Sequence, residues 1–378
     1  MAQPRQRFRH PRLGTFSTLA LTLALALIVW LLAIAARAEA APYAPPKGKV
    51  WHGVSDTSDV ADFSAFRKQV GAHPALLQVF YHWDVSLKAS HAFERWAATD
   101  TRGVVSLSTA SGDGTERITP AQIADGRGDD YILRLNESIA NQGQIVYLRL
   151  FPEMNGYWNP YSAFNRNGSA RKGHSTKQFK QAWRRISLIV DGGARKRINA
   201  DLRRLKMLRI LRATSEHDPV YRRNGIPAKL ERAKVATMWV PQTSGSPNKK
   251  ANRPQAYFPG KRYVDWVGAD IYAKFSTKTV WRNFNRFYSQ YRRFPFVVGE
   301  YGPYDRDPKG RFVKRLFEWA EHHKRTRALL FYRSVSTDNI YNLHHYPGAR
   351  KALIRILNER RYQEFAPGAK QQTAVPFP

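Results

Sequence analysis

The chain has 378 residues, and its 62 lysines and arginines against 29 acidic residues give a formal charge of +33. It has no cysteine, which excludes disulfide bonds, thiolate metal sites and a cysteine nucleophile. The charge favours polyanionic partners, such as nucleic acid, anionic lipid head groups or acidic polysaccharide. Hydrophobic residues make up 43% of the chain, enough for a large core, and aromatic residues reach 13%.

The first 40 residues have the pattern of a targeting segment. Four arginines precede an apolar stretch at residues 13–36, and residues 38–40 read Ala-Glu-Ala, a small-x-small cleavage pattern. The apolar stretch is long for a signal peptide and just long enough to cross a bilayer. We predict a cleaved signal peptide, with an uncleaved anchor in the inner membrane as the alternative. Both place the rest of the chain in the periplasm or outside the cell, which argues against nucleic acid as the partner.

Beyond a proline-rich linker at residues 41–47, short apolar runs alternate with amphipathic stretches. Continuous apolar runs are typical of strands that are buried on both faces of a parallel sheet. The runs predict eight strands, at residues 50–54, 76–81, 103–107, 145–150, 235–240, 264–271, 296–299 and 328–332. The clearest amphipathic stretches predict helices at residues 129–142, 176–190 and 309–324. This alternation predicts an α/β protein with one (β/α)₈ TIM barrel at residues 48–365 and a C-terminal tail at 366–378.

The interval between the fourth and fifth predicted strands, residues 159–234, is longer than one helix requires. It carries an excess of basic residues, including runs at 195–197 and 203–204. We interpret it as a solvated basic insertion. A docking surface for an anionic polymer is the alternative.

Two glutamates follow predicted strands closely. Glu153 comes after the fourth strand, and Glu300 comes at the end of the seventh. A barrel collects its active-site groups at the carboxyl ends of its strands, and strands four and seven lie across its mouth. Hydrolysis of a glycosidic bond requires such a pair of carboxyl groups. A chain of this length has several strand-end glutamates by chance, so position by itself does not identify the pair.

Five segments stand out in order along the chain: 126–131 (GRGDDY), 151–158 (FPEMNGYW), 238–241 (MWVP), 257–260 (YFPG) with 263–272 (YVDWVGADIY), and 298–302 (VGEYG). Taken together, they resemble glycoside hydrolase family 26, the β-mannanase family. Residues 151–158 resemble its acid/base motif, and residues 298–302 resemble its nucleophile strand. The resemblance covers roughly residues 48–360.

The resemblance implies retaining chemistry, with Glu153 as general acid/base and Glu300 as nucleophile. A retaining pair lies about 5–5.5 Å apart, and only the acid/base holds a proton in the resting enzyme. By the same resemblance, Tyr272 bonds the nucleophile. We expect the substrate-binding residues to be Tyr272, Trp158, Asn155, Trp239, His82, His52 and Tyr332. For Trp158 and Trp239, packing under the loops is an equal alternative to stacking on sugar. For His52 and His82, structural roles are equally compatible with the sequence.

One departure from the family concerns the substrate. The family has histidine before its acid/base glutamate, and this chain has Pro152. Proline offers no side-chain hydrogen bond to the sugar. The substrate is therefore expected to be a β-linked polysaccharide of mannan type, or a bacterial exopolysaccharide, including an anionic one. The alternative is a non-hydrolytic glycan-binding or glycan-assembly barrel of the cell envelope.

No sequence motif indicates a metal or a cofactor. The adjacent histidines at 322–323 and 344–345 lack the spacing of metal ligands, and there is no P-loop or dinucleotide motif. We therefore predict an enzyme without cofactor or metal. It would act as a monomer and contact the membrane only through its N-terminal segment.

Overall fold

The computed structural model describes residues 43–55, 59–83, 85–210, 225–304, 307, 309–333 and 339–367. The predicted targeting segment lies outside these ranges. Within them, no helix combines the length and the apolar character that crossing a membrane requires.

Eight parallel strands form a closed barrel, because the last strand pairs with the first. In chain order, β1 to β8 are Val50–Ser55, Leu76–Tyr81, Arg102–Leu107, Val146–Leu150, Val235–Trp239, Trp266–Tyr272, Phe296–Gly302 and Thr326–Tyr332. All eight predicted strands are confirmed, with their ends shifted by up to three residues. A short strand at Tyr362–Gln363 adds to β1 in parallel. The fold is therefore the predicted (β/α)₈ TIM barrel.

Helices surround the barrel and connect its strands. In chain order, α1 to α10 are Val60–Val70, Ala92–Ala98, Pro120–Ala124, Asp129–Gln142, Thr176–Asp191, Arg195–Arg204, Pro254–Tyr257, Lys278–Gln290, Arg311–His322 and Pro347–Leu357. Short 3₁₀ turns occur at Lys250–Asn252, Lys261–Tyr263, Ala273–Phe275 and Leu343–His345. The three predicted helices correspond to α4, α5 and α9. Side-chain caps define several starts: Ser175, for example, accepts from the backbone N–H of Gln178 at the start of α5.

Two apolar layers stabilise the barrel. The inner layer fills the barrel near the amino ends of its strands. There Tyr147 of β4 packs edge-on against Trp51 of β1 and Trp266 of β6. The outer layer lies between strands and helices and is also fully buried. Because both faces of each strand are apolar, the strands appear in the sequence as continuous apolar runs.

Segments from both ends of the described chain cover the amino ends of the barrel strands. Arg102, the first residue of β3, donates to the carbonyl of Tyr43 at 3.2 Å and to that of Pro367 at 3.0 Å. Arg327 donates to the carbonyls of Pro45 and Pro46. Residues 43–46 and Pro367 therefore pack under the barrel, on the face opposite the carboxyl ends of the strands.

The predicted basic insertion begins with the loop after β4 and includes α5 and α6. A two-residue antiparallel pair, Gly193–Ala194 with Lys229–Leu230, closes the segment that follows α5. Residues 211–224 of the insertion lie outside the described residues. The position of α5 is fixed by a buried ion pair, in which Arg185 donates to both carboxylate oxygens of Asp129 in α4.

Candidate active site

A tight turn after β4 positions Glu153. Phe151 and Glu153 both adopt positive φ, 49° and 50°, which is unusual for residues with a side chain. The backbone N–H of Glu153 donates to Val240 at 2.9 Å, and the hydroxyl of Tyr161 donates to the carbonyl of Pro152 at 2.7 Å. Left-handed backbone of this kind costs about 1–3 kcal/mol per residue and concentrates at functional sites. These bonds hold the turn so that Glu153 faces the barrel mouth.

The carboxyl group of Glu153 has two neutral donors and a negative neighbour. Gln242 Nε2 lies 3.3 Å from one oxygen, and the indole N–H of Trp158 lies 3.3 Å from the other. Burial and the charge of Glu300 raise the pKa of Glu153 to about 7, against the opposing effects of Arg149 and of the two donors. Glu153 can therefore hold a proton near neutral pH.

Glu300 has a different environment. It is 8% exposed, and Arg149 Nη1 donates to its Oε1 at 2.5 Å. The hydroxyl of Tyr272 donates to its other oxygen, Oε2, at 2.5 Å. A cation and a hydroxyl thus compensate the negative charge of this carboxylate and fix the direction of its oxygens.

Arg149 also joins Glu300 to Asp270. The Nη2 of Arg149 donates to Asp270 Oδ2, and none of the three side chains is more than 11% exposed. Burial lowers the pKa of Arg149, but the charges of Asp270 and Glu300 raise it above its ordinary value overall. Burial raises the pKa of Asp270. The guanidinium is therefore a permanent cation between two carboxyl groups inside the barrel.

A glycine makes this arrangement possible. A Cβ at Gly299 would lie 2.8 Å from Asp270 Oδ1, 2.8 Å from Val240 and 3.3 Å from the Arg149 guanidinium carbon. A neighbouring irregularity occurs where the register between β6 and β7 shifts at residues 269–271. The missing side chain and the shifted register let Glu300 and Asp270 share one arginine.

Asn155 lies under the site rather than at its surface. It is fully buried, accepts from the backbone N–H of Gln242 at 2.9 Å and donates to the carbonyl of the same residue at 3.0 Å. Its pairing with the Gln242 backbone places the side chain of Gln242 against Glu153. The contacts of Asn155 are therefore with the loop after β5, where we expected contact with substrate.

Trp158 is the exposed aromatic residue next to Glu153. Its side chain is 48% exposed and packs edge-on against Tyr157 at 5.2 Å. The hydrogen bond to Glu153 and the free ring surface agree with the expected position at the mouth. Of the two alternatives for this residue, stacking on a ligand fits its exposure better than packing under a loop.

Two expected substrate-binding residues lie away from the mouth. Trp239 is fully buried and packs against Phe258, Phe287 and Tyr291 in the outer layer. His52 is 3% exposed and shares a 2.6 Å hydrogen bond with the hydroxyl of Tyr301. Burial lowers the pKa of His52 to about 3, so it is neutral. Both side chains face the helices, so neither can contact a sugar at the mouth.

Tyr332 and His82 lie at the carboxyl ends of their strands. The ring of Tyr332 is 6.1 Å from that of Tyr272 and 5.9 Å from that of Phe80. His82 is half-buried and lines a cavity of about 260 Å³ together with Phe80. Tyr332 thus belongs to the aromatic surroundings of Glu300, whereas His82 makes no described hydrogen bond to either glutamate.

Several site residues were not predicted from the sequence. Tyr304 and Tyr341 pack against Tyr272 at 5.8 and 6.0 Å and extend the aromatic wall beside Glu300. The signal for Arg149 and Asp270 was available, because each is a charged residue inside an otherwise apolar strand. Gln242 and the two tyrosines lie in loops, where the sequence gives no comparable signal.

The two glutamates therefore have complementary properties in one site. One carboxyl group can hold a proton near neutral pH, and the other is paired with a cation and a hydroxyl. Acid/base chemistry requires two neighbouring carboxyl groups in such different environments. Among the described residues there is no cluster of three metal-ligating side chains.

A scan against models of known protein families gives no match, and neither does a search of curated proteins. Solved structures do match. An endo-β-1,4-mannanase double mutant from Cellulomonas fimi has a TM-score of 0.52 at 12% identity, covering 86% of this chain and 75% of that one. The GH26 domain of a Prevotella bryantii endo-β-mannanase/endo-β-glucanase has a TM-score of 0.51 at 12% identity, covering 83% and 90%. The mannanase man26 from Bacillus subtilis has a TM-score of 0.50 at 14% identity, covering 85% and 88%. The chain therefore has the (β/α)₈ fold of glycoside hydrolase family 26 structures.

Proposed function

We propose that the chain is a retaining glycoside hydrolase that cleaves β-glycosidic bonds in a polysaccharide. The observation that carries the proposal is the contrast between two carboxyl groups in one site. Burial and the neighbouring charge raise the pKa of Glu153 to about 7, and Arg149 and Tyr272 bond both oxygens of Glu300. Fold likeness alone supports only a hydrolase-type scaffold.

In the first step, Glu153 donates its proton to the glycosidic oxygen while Glu300 attacks the anomeric carbon. The bond between that carbon and the leaving oxygen breaks, the leaving sugar departs as an alcohol, and a glycosyl ester forms on Glu300. Glu153, now ionised, then removes a proton from water as the water attacks the same carbon. The ester bond breaks, and both glutamates return to their starting states.

Arg149 and Tyr272 are positioning residues in this scheme. Each donates to a different oxygen of Glu300, so both oxygens are held until one of them attacks. When the ester forms, the negative charge of the carboxylate is lost, and its bonds to Arg149 and Tyr272 weaken. These donors therefore stabilise Glu300 as a leaving group in the second step.

The substrate class follows from the neighbours and the composition. Several proteins with this fold are named as β-mannanases, which favours a mannan-type backbone. The excess of positive charge favours a bacterial exopolysaccharide, including an anionic one. Residues 1–40 are proposed to direct the protein to the periplasm or the medium, or to anchor it in the inner membrane. Detection of a mature N-terminus near residue 41 would establish cleavage.

The test is release of reducing sugar by the purified full chain. The panel contains β-mannan, mixed-linkage glucan, xylan and acidic bacterial exopolysaccharides, with Glu153→Ala and Glu300→Ala variants beside the unaltered chain. We expect turnover of one polymer and its loss in both variants. Binding without turnover, unchanged in both variants, would favour a glycan-binding barrel instead.

A further inference from the structure

A cavity of about 390 Å³ lies between the loops that follow β6 and β7. It is lined by residues from the β6 loop, from α8 and from the start of α9, including Ala273, Ser276, Trp281, Lys309, Arg311 and Arg315. These loops follow the carboxyl ends of their strands, so the cavity lies on the face of the barrel that carries Glu153 and Glu300.

The lining has an excess of uncompensated positive charge. Lys309, Arg311 and Arg315 are exposed, and none of them forms an ion pair with a described carboxylate. The one described carboxylate in the lining, Asp307, accepts from the backbone N–H groups of Phe312 at 2.9 Å and Val313 at 3.2 Å. Its carboxylate is therefore engaged at the start of α9. The cavity is therefore suited to an anion.

An aromatic residue forms part of the cavity lining. Trp281 is 4% exposed, and the guanidinium of Arg315 lies 4.5 Å above its ring. This cation–π contact holds the charge of Arg315 at the cavity.

A continuous chain of contacts connects this cavity to Glu300. Tyr272 donates to Glu300, and the ring of Tyr304 packs against that of Tyr272 at 5.8 Å. The ammonium of Lys274 lies 4.6 Å above the Tyr304 ring, and its neighbour Phe275 is 53% exposed. Lys274 lies between Ala273 and Ser276, which line the cavity. A polymer chain leaving the catalytic centre on this side would meet aromatic rings first and cations next.

We propose that Lys309, Arg311 and Arg315 form a subsite for a uronic acid residue, so that the polysaccharide substrate carries carboxylates. This rests on the proposed function, because it names the substrate class of the same site. Arginine recognises carboxylates with paired N–H donors, and aromatic rings present flat apolar surfaces to sugars. A polymer with acidic sugars at intervals would use both features.

The experiment compares two polymers that differ mainly in the carboxylate: β-1,4-mannan and β-1,4-mannuronan. Affinity of the full chain for each is measured by electrophoresis in polymer-containing gels at low salt, about 50 mM. The variant combines Lys309→Gln, Arg311→Gln and Arg315→Gln. A matched control removes three exposed cations from α1 and α10 through Lys68→Gln, Lys351→Gln and Arg355→Gln.

We expect the subsite variant to weaken binding of mannuronan about tenfold and to leave binding of mannan unchanged. The control variant should bind both polymers as the unaltered chain does. Equal weakening in both variants, or equal weakening toward DNA and anionic vesicles, would overturn the proposal, because it would indicate unspecific attraction. Cleavage of both polymers is assayed on the same preparations. Cleavage of either polymer without selective mannuronan binding refutes only the subsite, and selective binding without cleavage of either polymer refutes only the hydrolase.

Discussion

The guanidinium of Arg149 lies 2.5 Å from Glu300 inside the barrel and has no exposed surface of its own. Its second donor contacts Asp270, so one cation serves two buried carboxyl groups. A buried ion network contributes little net stability when complete, but losing one partner leaves the others buried and uncompensated. Arg149 should therefore affect both folding and catalysis.

We expect Arg149→Met to lower the free energy of unfolding at neutral pH by about 3–5 kcal/mol, because two buried carboxyl groups lose their cation. The loss should shrink as the pH falls, since protonation removes the negative charges that Arg149 compensates. Denaturant unfolding at two pH values measures both effects. Arg149→Met combined with Asp270→Asn should recover part of the stability. An unchanged unfolding midpoint in the single variant would contradict this account.

Tyr272→Phe tests the second donor to Glu300. Loss of the hydroxyl removes one of the two bonds that orient the nucleophile, and we expect kcat to fall about a hundredfold. The ring and its packing remain, so thermal stability should change little. Tyr341→Phe is the matched control, because its ring packs against Tyr272 at 6.0 Å and the described donors to Glu300 are Arg149 and Tyr272. Equal loss of kcat in both variants would indicate a general effect of the aromatic wall.

The pH dependence of kcat/KM should report Glu153. The acid must be protonated to act, and its pKa is about 7, so activity is present below that pH and falls as the pH rises through it. The indole N–H of Trp158 favours the ionised form and lowers this pKa. Trp158→Phe should therefore move the alkaline limb to higher pH while keeping an aromatic ring. A shift to lower pH would exclude this role of the indole.

Gly299→Ala tests the close approach between β6 and β7. The added methyl group would lie 2.8 Å from both Asp270 Oδ1 and a Val240 carbon, well inside van der Waals contact. We expect a loss of about 1–3 kcal/mol in unfolding free energy and a large loss of kcat, because Asp270 and Arg149 must move. Gly143→Ala is a weaker comparison, since its Cβ meets no atom within 4 Å but its φ is positive. Full activity in Gly299→Ala would show that the site tolerates a displacement of Asp270 and Arg149.

The barrel could be predicted because alternating strands and helices leave a strong apolar pattern. The same pattern hides which way each side chain points. His52 and Trp239 were expected at the mouth. In a strand that is apolar on both faces, polar and apolar residues do not alternate, so the sequence does not reveal which side chains face the barrel interior and which face the helices. Both side chains face the helices instead. Glu153 and Glu300 were easier to find, because each lies where a strand ends and where the fold collects its polar groups.

The remaining site residues depend on three-dimensional contacts that spacing does not reveal. Arg149 and Asp270 are 121 positions apart, and their pairing depends on the register of the strands between them. Tyr304 and Tyr341 come from separate loops and meet only because β7 and β8 are neighbours. Pro152 was expected to affect the substrate. In the structure it occupies a turn between two residues with positive φ, where its carbonyl accepts from Tyr161.

The contacts of Arg102 have a practical consequence for handling this protein. This arginine holds Tyr43 and Pro367 together under the barrel, so both ends of the described chain leave from the face opposite the two glutamates. A resin, an electrode or a fused domain attached at Tyr43 or Pro367 would leave the mouth pointing outward. Immobilised preparations should therefore accept long, insoluble polymers as readily as short soluble ones, without any redesign of the loops.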